Sequence, residues 1–230
     1  MPRHARITPK GYLYHILNRS AGRITLFRTP ADYAAFERVL LETHARTPLP
    51  LLAYTLMPNH WHFVVRPTTD TQITDFFRWL THTHAMRWRV AHHTVGYGHL
   101  YQGRFKSFPI QGSSHGQHLL AVCRYIERNP LTAKLVPRAQ DWPHSSLSIR
   151  QHGPEELRTL LSDWPTKRPS TWIDLVNRAL TKKEKLKLQT SLQRSRPYGD
   201  DAWIHQTAQR LNLQHTLRPE GRPKSTETTS

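Results

Sequence analysis

His60-Trp61-His62-Phe63-Val64-Val65 reads as a short apolar strand carrying two histidines two residues apart. Successive strand side chains point to opposite faces, so His60 and His62 project from one face and Trp61 from the other. Two imidazoles on one face can share a divalent cation, while the indole anchors the strand in a core. A cation held this way suits the polarisation of a phosphodiester. The chain has 16 histidines, so the pair gains weight only from what accompanies it. Position 64 is Val, which sets aside the hydrolase pattern H-x-H-x-D. Zinc elsewhere has little support: there is one Cys, and His82 and His84 would lie about 200° apart on a helix at ~100° per residue.

Outward from this strand, Pro58-Asn59 forms a tight turn, and Leu51–Met57 before it is a second strand, giving a β-hairpin. Further upstream, Thr29-Pro30-Ala31-Asp32 starts a helix, with Thr at the N-cap and Pro at the first helical position. That helix runs through Tyr33, Phe36, Val39 and Leu40 to about Arg46, and Pro48 and Pro50 end the segment. Tyr12–Asn18 alternates as a strand. Downstream, Gln72 to about His93 is a long helix with Ile73, Phe76, Phe77 and Leu80 on its apolar side. Gly96–Gly103 is a loop, Phe105–Gln111 a fourth strand, and His115–Asn129 a helix stopped by Pro130. The order β-α-β-β-α-β-α opens with the six elements of a ferredoxin-like α+β sandwich. Its antiparallel sheet places the first and third strands in the middle, so both histidines belong on a central strand.

Charge points to a class of partner. Lys and Arg number 33 against 16 Asp and Glu, for a net +17. Residues 1–150 carry 19 basic and 7 acidic side chains, against 14 and 9 in residues 151–230. The excess therefore belongs to the main domain and not to a detachable tail. A domain this basic is attracted to polyanions, nucleic acid first. Apolar runs fall short of the ~18 residues of a membrane span, and the N-terminus lacks the apolar stretch of a secretory signal. Cys123 is the only cysteine, which excludes an intrachain disulfide and fits a reducing cytoplasm. A cytoplasmic, nucleoid-associated protein is expected.

The second half of the chemistry lies in Arg124-Tyr125-Ile126-Glu127-Arg128-Asn129-Pro130. Tyr125 and Asn129 are four apart and share a helix face. A tyrosine hydroxyl can attack a phosphodiester and store the bond energy as a phosphotyrosine. Its ordinary pKa of ~10 means that it needs help from a metal or a base. Asn129 can offer an amide oxygen to a cation held by His60 and His62. Two imidazoles, one amide oxygen and phosphate oxygens would suit Mg²⁺ or Mn²⁺. A helical tyrosine alone is more often a packing residue, and an Asn before Pro a helix terminus. The conjunction of histidine strand, Tyr-x-x-x-Asn helix and basic domain is what matters.

With these segments together, the chain resembles the REP-associated tyrosine transposases, relatives of the single-tyrosine HUH transposases that move insertion sequences as single-stranded DNA. The matching segments are Tyr14-His15-Ile16-Leu17-Asn18-Arg19, Met57-Pro58-Asn59-His60-Trp61-His62, Gly98-His99-Leu100-Tyr101-Gln102-Gly103-Arg104-Phe105-Lys106-Ser107 and Tyr125-Ile126-Glu127-Arg128-Asn129-Pro130-Leu131-Thr132-Ala133. Trp142-Pro143-His144-Ser145-Ser146 is similar to the family's Trp-Ser-Ser ending. The resemblance covers roughly residues 10–150. It implies a ferredoxin-like HUH fold that cleaves single-stranded DNA near a folded palindrome, leaving a 5′-phosphotyrosine on Tyr125 and a free 3′-OH. It carries His60 and His62 over as metal ligands, with Asn129 as the third. Arg19 is expected at the DNA, and Arg104 and Lys106 in a basic-aromatic loop suit backbone phosphates, with Tyr101 and Phe105 available for stacking. His15 is expected to be structural. Insertion-sequence relatives act as dimers and the repeat-associated group need not, so monomer and homodimer both stay open.

The chain continues beyond this core. Residues 151–215 are expected to form a mainly helical basic extension, with helices at Trp172–Leu180, Leu186–Leu192 and Ala202–Leu211. Residues 216–230 form a polar tail in which Gly221-Arg222-Pro223 resembles an AT-hook core, whose arginine can enter a narrow A·T minor groove. Two other functional classes fit the same features. One is a non-catalytic, domesticated hairpin-binding regulator. The other is an HUH relaxase or replication initiator, for which the Tyr-Ile-Glu-x-Asn-Pro motif is a poorer match.

Overall fold

The computed structural model describes residues 8–112 and 116–218. Four strands, β1 (Leu13–Arg19), β2 (Leu51–Met57), β3 (His60–Val65) and β4 (Lys106–Ile110), form one antiparallel sheet in the order β2-β3-β1-β4. The first and third strands are central, as the element order requires. Helix α1 (Pro30–Arg46) starts where expected: Thr29 N–H donates to Asp32 Oδ2 at 2.9 Å, and Pro30 occupies the first turn, where its missing N–H costs nothing. The same Asp32 lies 2.7 Å from His92 Nε2, fixing the start of α1 to the end of α2 (Gln72–Ala91).

Strand alternation gives the sheet two apolar faces. Tyr14, Ile16, Tyr54, Trp61, Phe63 and Val65 pack beneath α1 and α2 with Phe36, Phe76 and Phe77. Leu13, Val64, Phe108 and Ile110 face the other way, onto Leu119, Val122 and Ile126 of α3 (Gln117–Thr132). Both histidines of the β3 motif therefore look toward α3 and away from the α1–α2 layer. The remaining helices are α4 (Ser146–His152), α5 (Glu155–Thr159), α6 (Trp172–Asn177), α7 (Lys182–Arg194) and α8 (Asp201–Arg210).

Segments beyond α3 pack on its side of the sheet: Trp172, Val176, Leu188 and Tyr198 join that core. They also cover both sheet edges. Ser162 N–H donates to Leu51 O (2.8 Å) and Leu56 N–H to His144 O (2.9 Å) along β2. On β4, Tyr198 N–H donates to Pro109 O and Gln111 N–H to Tyr198 O, each at 2.9 Å. Covered edges leave no unpaired ladder for another chain to extend.

One boundary departs from expectation. Pro130 does not stop α3; it is buried inside the helix, which continues to Thr132. The stop comes four residues later. Lys134 takes a left-handed conformation (φ 57°), Leu135 N–H donates to Pro130 O (3.0 Å) and Lys134 N–H to Leu131 O (3.1 Å). That is a Schellman closure. Proline so near the C-terminal end forfeits one bond to the Ile126 carbonyl and is tolerated, whereas mid-helix it would break the ladder.

Candidate active site

Cross-strand pairing sets the site. His60 lies opposite Arg19, and His62 opposite Leu17, which in turn lies opposite Lys106 of β4. Directly paired residues share a face, so His60, His62, Arg19 and Lys106 all look toward α3. The two motif rings stand 5.0 Å apart and nearly perpendicular. From above, α3 lowers Tyr125 until its ring centre is 6.2 Å from that of His62. The histidine strand and the tyrosine helix, 65 residues apart in sequence, thus meet edge to face.

Burial and charge decide protonation here. Burial, then the Arg19 charge, holds His60 down to about 4. His62 is pushed well below its ordinary value by burial first, then by the neighbouring His60, His15 and Arg19. Both rings are neutral at physiological pH, the form that ligates a metal. Burial raises the Tyr125 hydroxyl, and Arg19 pulls it back. Arg19 thus acts electrostatically on three groups at once.

The rings are oriented by partners. His60 Nδ1 lies 2.7 Å from Asn59 Oδ1. That oxygen can only accept, so His60 carries its proton on Nδ1 and leaves Nε2 with a free lone pair. His62 Nδ1 lies 2.9 Å from His15 Nε2, and the two rings stack at 5.0 Å. The expectation that His15 is purely structural is thereby corrected, because it touches a motif histidine directly. Among the described residues no three His, Cys, Asp or Glu side chains gather as a metal group. A cation on His60 and His62 would need a donor of another kind. Asn129 Nδ2, one turn from Tyr125, is buried without a hydrogen-bond partner. Turning the amide over would place its oxygen at that unpartnered position, as a ligand should be. The donor set therefore fits a hard divalent cation.

Other expected site residues fare differently. Arg104 and Lys106 are exposed, and Arg19 is half-buried at the site. Tyr101 and Phe105 are corrected: both rings lie in the α1–α2 core and offer no face to a base. Tyr101 Oη accepts from Trp61 Nε1 (3.2 Å) and lies 2.7 Å from His84 Nδ1, so it satisfies the indole of the motif strand. Phe105 packs on Phe77. Arg222 lies outside the described residues.

Sequence reading missed three residues. Asn59 was read only as a turn residue and His15 only as structural. Glu127 is fully buried: its two oxygens lie 2.5 Å from Ser146 Oγ and 2.7 Å from Trp172 Nε1. It fastens α3 from behind while Tyr125 and Asn129 face the site. Ser146 Oγ also accepts from Tyr54 N–H at 3.0 Å, which gives the Ser145-Ser146 pair its purpose.

Comparison with known proteins agrees with this arrangement. A family model described as "Transposase IS200 like" matches residues 9–129, more than half of the chain. A solved structure of a REP-associated tyrosine transposase bound to a REP hairpin matches with a TM-score of 0.51 at 17% identity, covering 79% of this chain and 100% of that one. A crystal structure of a protein assigned as a transposase from Deinococcus radiodurans R1 matches at 20% identity and a TM-score of 0.36, covering 55% of this chain and 94% of that one. No curated protein matches the chain. Among the described residues no helix is long and apolar enough to cross a membrane.

Proposed function

From the premise that the chain belongs to the IS200-like transposase family, we propose that it cleaves and rejoins single-stranded DNA beside palindromic hairpins, using Tyr125 as nucleophile. The observation that carries this reading is the convergence of His60, His62 and Tyr125 from β3 and α3 onto one face, with rings 5.0 and 6.2 Å apart. The Tyr125 oxygen attacks the scissile phosphorus, its phenolic proton departs, and the bond to the 3′-oxygen breaks. That oxygen takes up a proton and leaves as 3′-OH, while the 5′-phosphate stays on tyrosine. Attack by another 3′-OH reverses the step and rejoins DNA.

Arg19 serves twice here: it favours the phenolate and offers a guanidinium to the non-bridging oxygens. His60, His62 and Asn129 would hold Mg²⁺ or Mn²⁺, which when bound supplies positive charge that polarises the phosphodiester. Lys106 on the same face and Arg104 in the adjoining loop suit the flanking phosphates. The hairpin preference is supported by likeness to a fold solved with such a hairpin. Cytoplasmic, nucleoid-associated action on DNA as a monomer or homodimer completes the reading.

The test incubates the protein with hairpin-bearing single-stranded DNA and runs the products on a denaturing gel. Wild type is expected to form a covalent adduct that a chelator prevents. Tyr125→Phe should form none while binding DNA as wild type does. His60→Ala and His62→Ala should each lower cleavage at least 100-fold, and Asn129→Ala less, because water can replace one oxygen ligand. An adduct that persists in the Phe variant removes Tyr125 from the mechanism, and binding without any adduct selects the regulator instead.

A further inference from the structure

His15 and His62 form a closed pair: His15 Nε2 lies 2.9 Å from His62 Nδ1, and both rings are shut away from solvent. Burial drives His15 down to about 3 and His62 well below its ordinary value, so each neutral ring holds one proton. A bond between two neutral imidazoles needs one donor and one acceptor, which leaves two arrangements. In the first, His15 Nε2–H donates to His62 Nδ1. The His62 proton then sits on Nε2, and that nitrogen has no lone pair for a cation. In the second, His62 Nδ1–H donates to His15 Nε2, and His62 Nε2 is free to ligate.

The two arrangements differ at His15 Nδ1, which is buried with no hydrogen-bond partner among the described residues. The first leaves a bare acceptor there, the second a stranded N–H. A stranded buried donor is the less tolerable of the two. The fold by itself thus favours the arrangement in which His62 cannot bind a metal. His60 differs: its Nδ1 proton goes to Asn59 Oδ1, so its Nε2 is ready in advance.

We propose that His15 is a positioning residue that sets the proton of His62, so that binding a divalent cation switches the His15–His62 pair from one shared-proton arrangement to the other. The proposal rests on the metal reading above. The shared proton crosses from His15 Nε2 to His62 Nδ1; His62 gives up its Nε2 proton to solvent and His15 takes one at Nδ1. Each ring keeps one proton, and no net charge is gained or lost. One of the two imidazoles is preset and the other is switched, so the site holds its cation less tightly than two preset ligands would.

Two measurements at one pH test this. In ¹⁵N-histidine-labelled protein, NMR should find both His15 and His62 protonated on Nε2 without metal and on Nδ1 with saturating Mg²⁺. Mn²⁺ affinity, read by electron paramagnetic resonance, should fall about 10–100-fold in His15→Phe, which keeps the ring packing on Phe108 at 4.8 Å but offers no acceptor. His15→Gln should stay within about threefold of wild type, because its amide oxygen can accept from His62 Nδ1–H. A residue that merely fills space would give the reverse order, with Phe tolerated and Gln not. Unchanged protonation sites on adding Mg²⁺, or wild-type affinity in His15→Phe, would overturn the proposal alone. Wild-type protein that binds no Mn²⁺ would overturn the metal reading and this one with it. If His15→Phe does not fold, the NMR comparison on wild type still decides.

Discussion

At the scale of single residues, Glu127 shows how a family motif divides its labour. It lies between Tyr125 and Asn129 in sequence but points to the opposite side of α3, among Ser146 and Trp172. Burial raises its carboxyl above the ordinary 4.5, against opposing pulls from those two hydrogen bonds and from Arg150 and Arg168. A carboxyl whose folded pKa is raised binds its proton more tightly in the folded state. Its contribution is complete below the unfolded value and is lost as pH rises through the folded one. Glu127→Gln mimics the protonated acid, donating to Ser146 and accepting from Trp172. Chemical denaturation at several pH values should show wild type losing stability across that window and the Gln variant not. Glu127→Ala should cost about 2–4 kcal/mol, because a buried hydroxyl and indole lose their partner. Equal pH slopes in wild type and Gln variant would count against a titrating Glu127. Sequence could not reveal this orientation, nor that Tyr101 and Phe105 turn inward, since neighbours in a loop can face opposite ways. His60, His62 and Tyr125 were legible because strand alternation and helix spacing are local rules.

At the scale of elements, α3 must hold Tyr125 at a fixed height above the sheet. Glu127 grips from one side, and two arginines grip the end of α6. Arg124 donates to Leu175 O (2.7 Å), Arg178 O (2.8 Å) and Ala179 O (2.9 Å), while Arg128 donates to Val176 O (2.8 Å) and Asn177 O. Guanidinium forks suit carbonyls at a helix C-terminus, where the dipole is negative. Arg124→Ala should lower stability by about 2–3 kcal/mol, since it strips part-buried, charge-assisted bonds from three carbonyls. Arg124→Lys should recover less than half of this, because one ammonium cannot reach them all. Urea unfolding measures both; a loss under about 0.5 kcal/mol for the Ala variant would mean that α6 is held by its apolar face alone. The hairpin and the Thr29-Pro30 start of α1 were readable from turn and cap chemistry. The end of α3 was not, because its left-handed residue is Lys134, not glycine, and Pro130 sent a louder but misleading signal.

At the scale of the whole molecule, topology was legible and enclosure was not. The order of elements dictates which strands are central, but the covering of both sheet edges by Leu161, Ser145 and Tyr198 depends on contacts that no local pattern announces. Charge also acts at this scale. With +17 on the chain, binding to any strand should weaken with salt by about −0.7 in log–log slope per phosphate neutralised. Residues 219–230 offer a clean separation of charge from recognition. They carry Arg222 and Lys224 against Glu220 and Glu227, so deleting them leaves the net charge at +17. If Gly221-Arg222-Pro223 reads an A·T minor groove, the deletion should weaken binding to A·T-rich duplex about tenfold at fixed salt. Affinity for G·C-rich duplex, the salt slope on single strands and the Tyr125 adduct should all stay as in the full chain, because none depends on a groove-inserted arginine. Fluorescence anisotropy on paired A·T-rich and G·C-rich duplexes measures this. An equal loss on both would mean that the segment acts through its local positive charge, and no loss on either would leave hairpin DNA as the molecule's one nucleic-acid target.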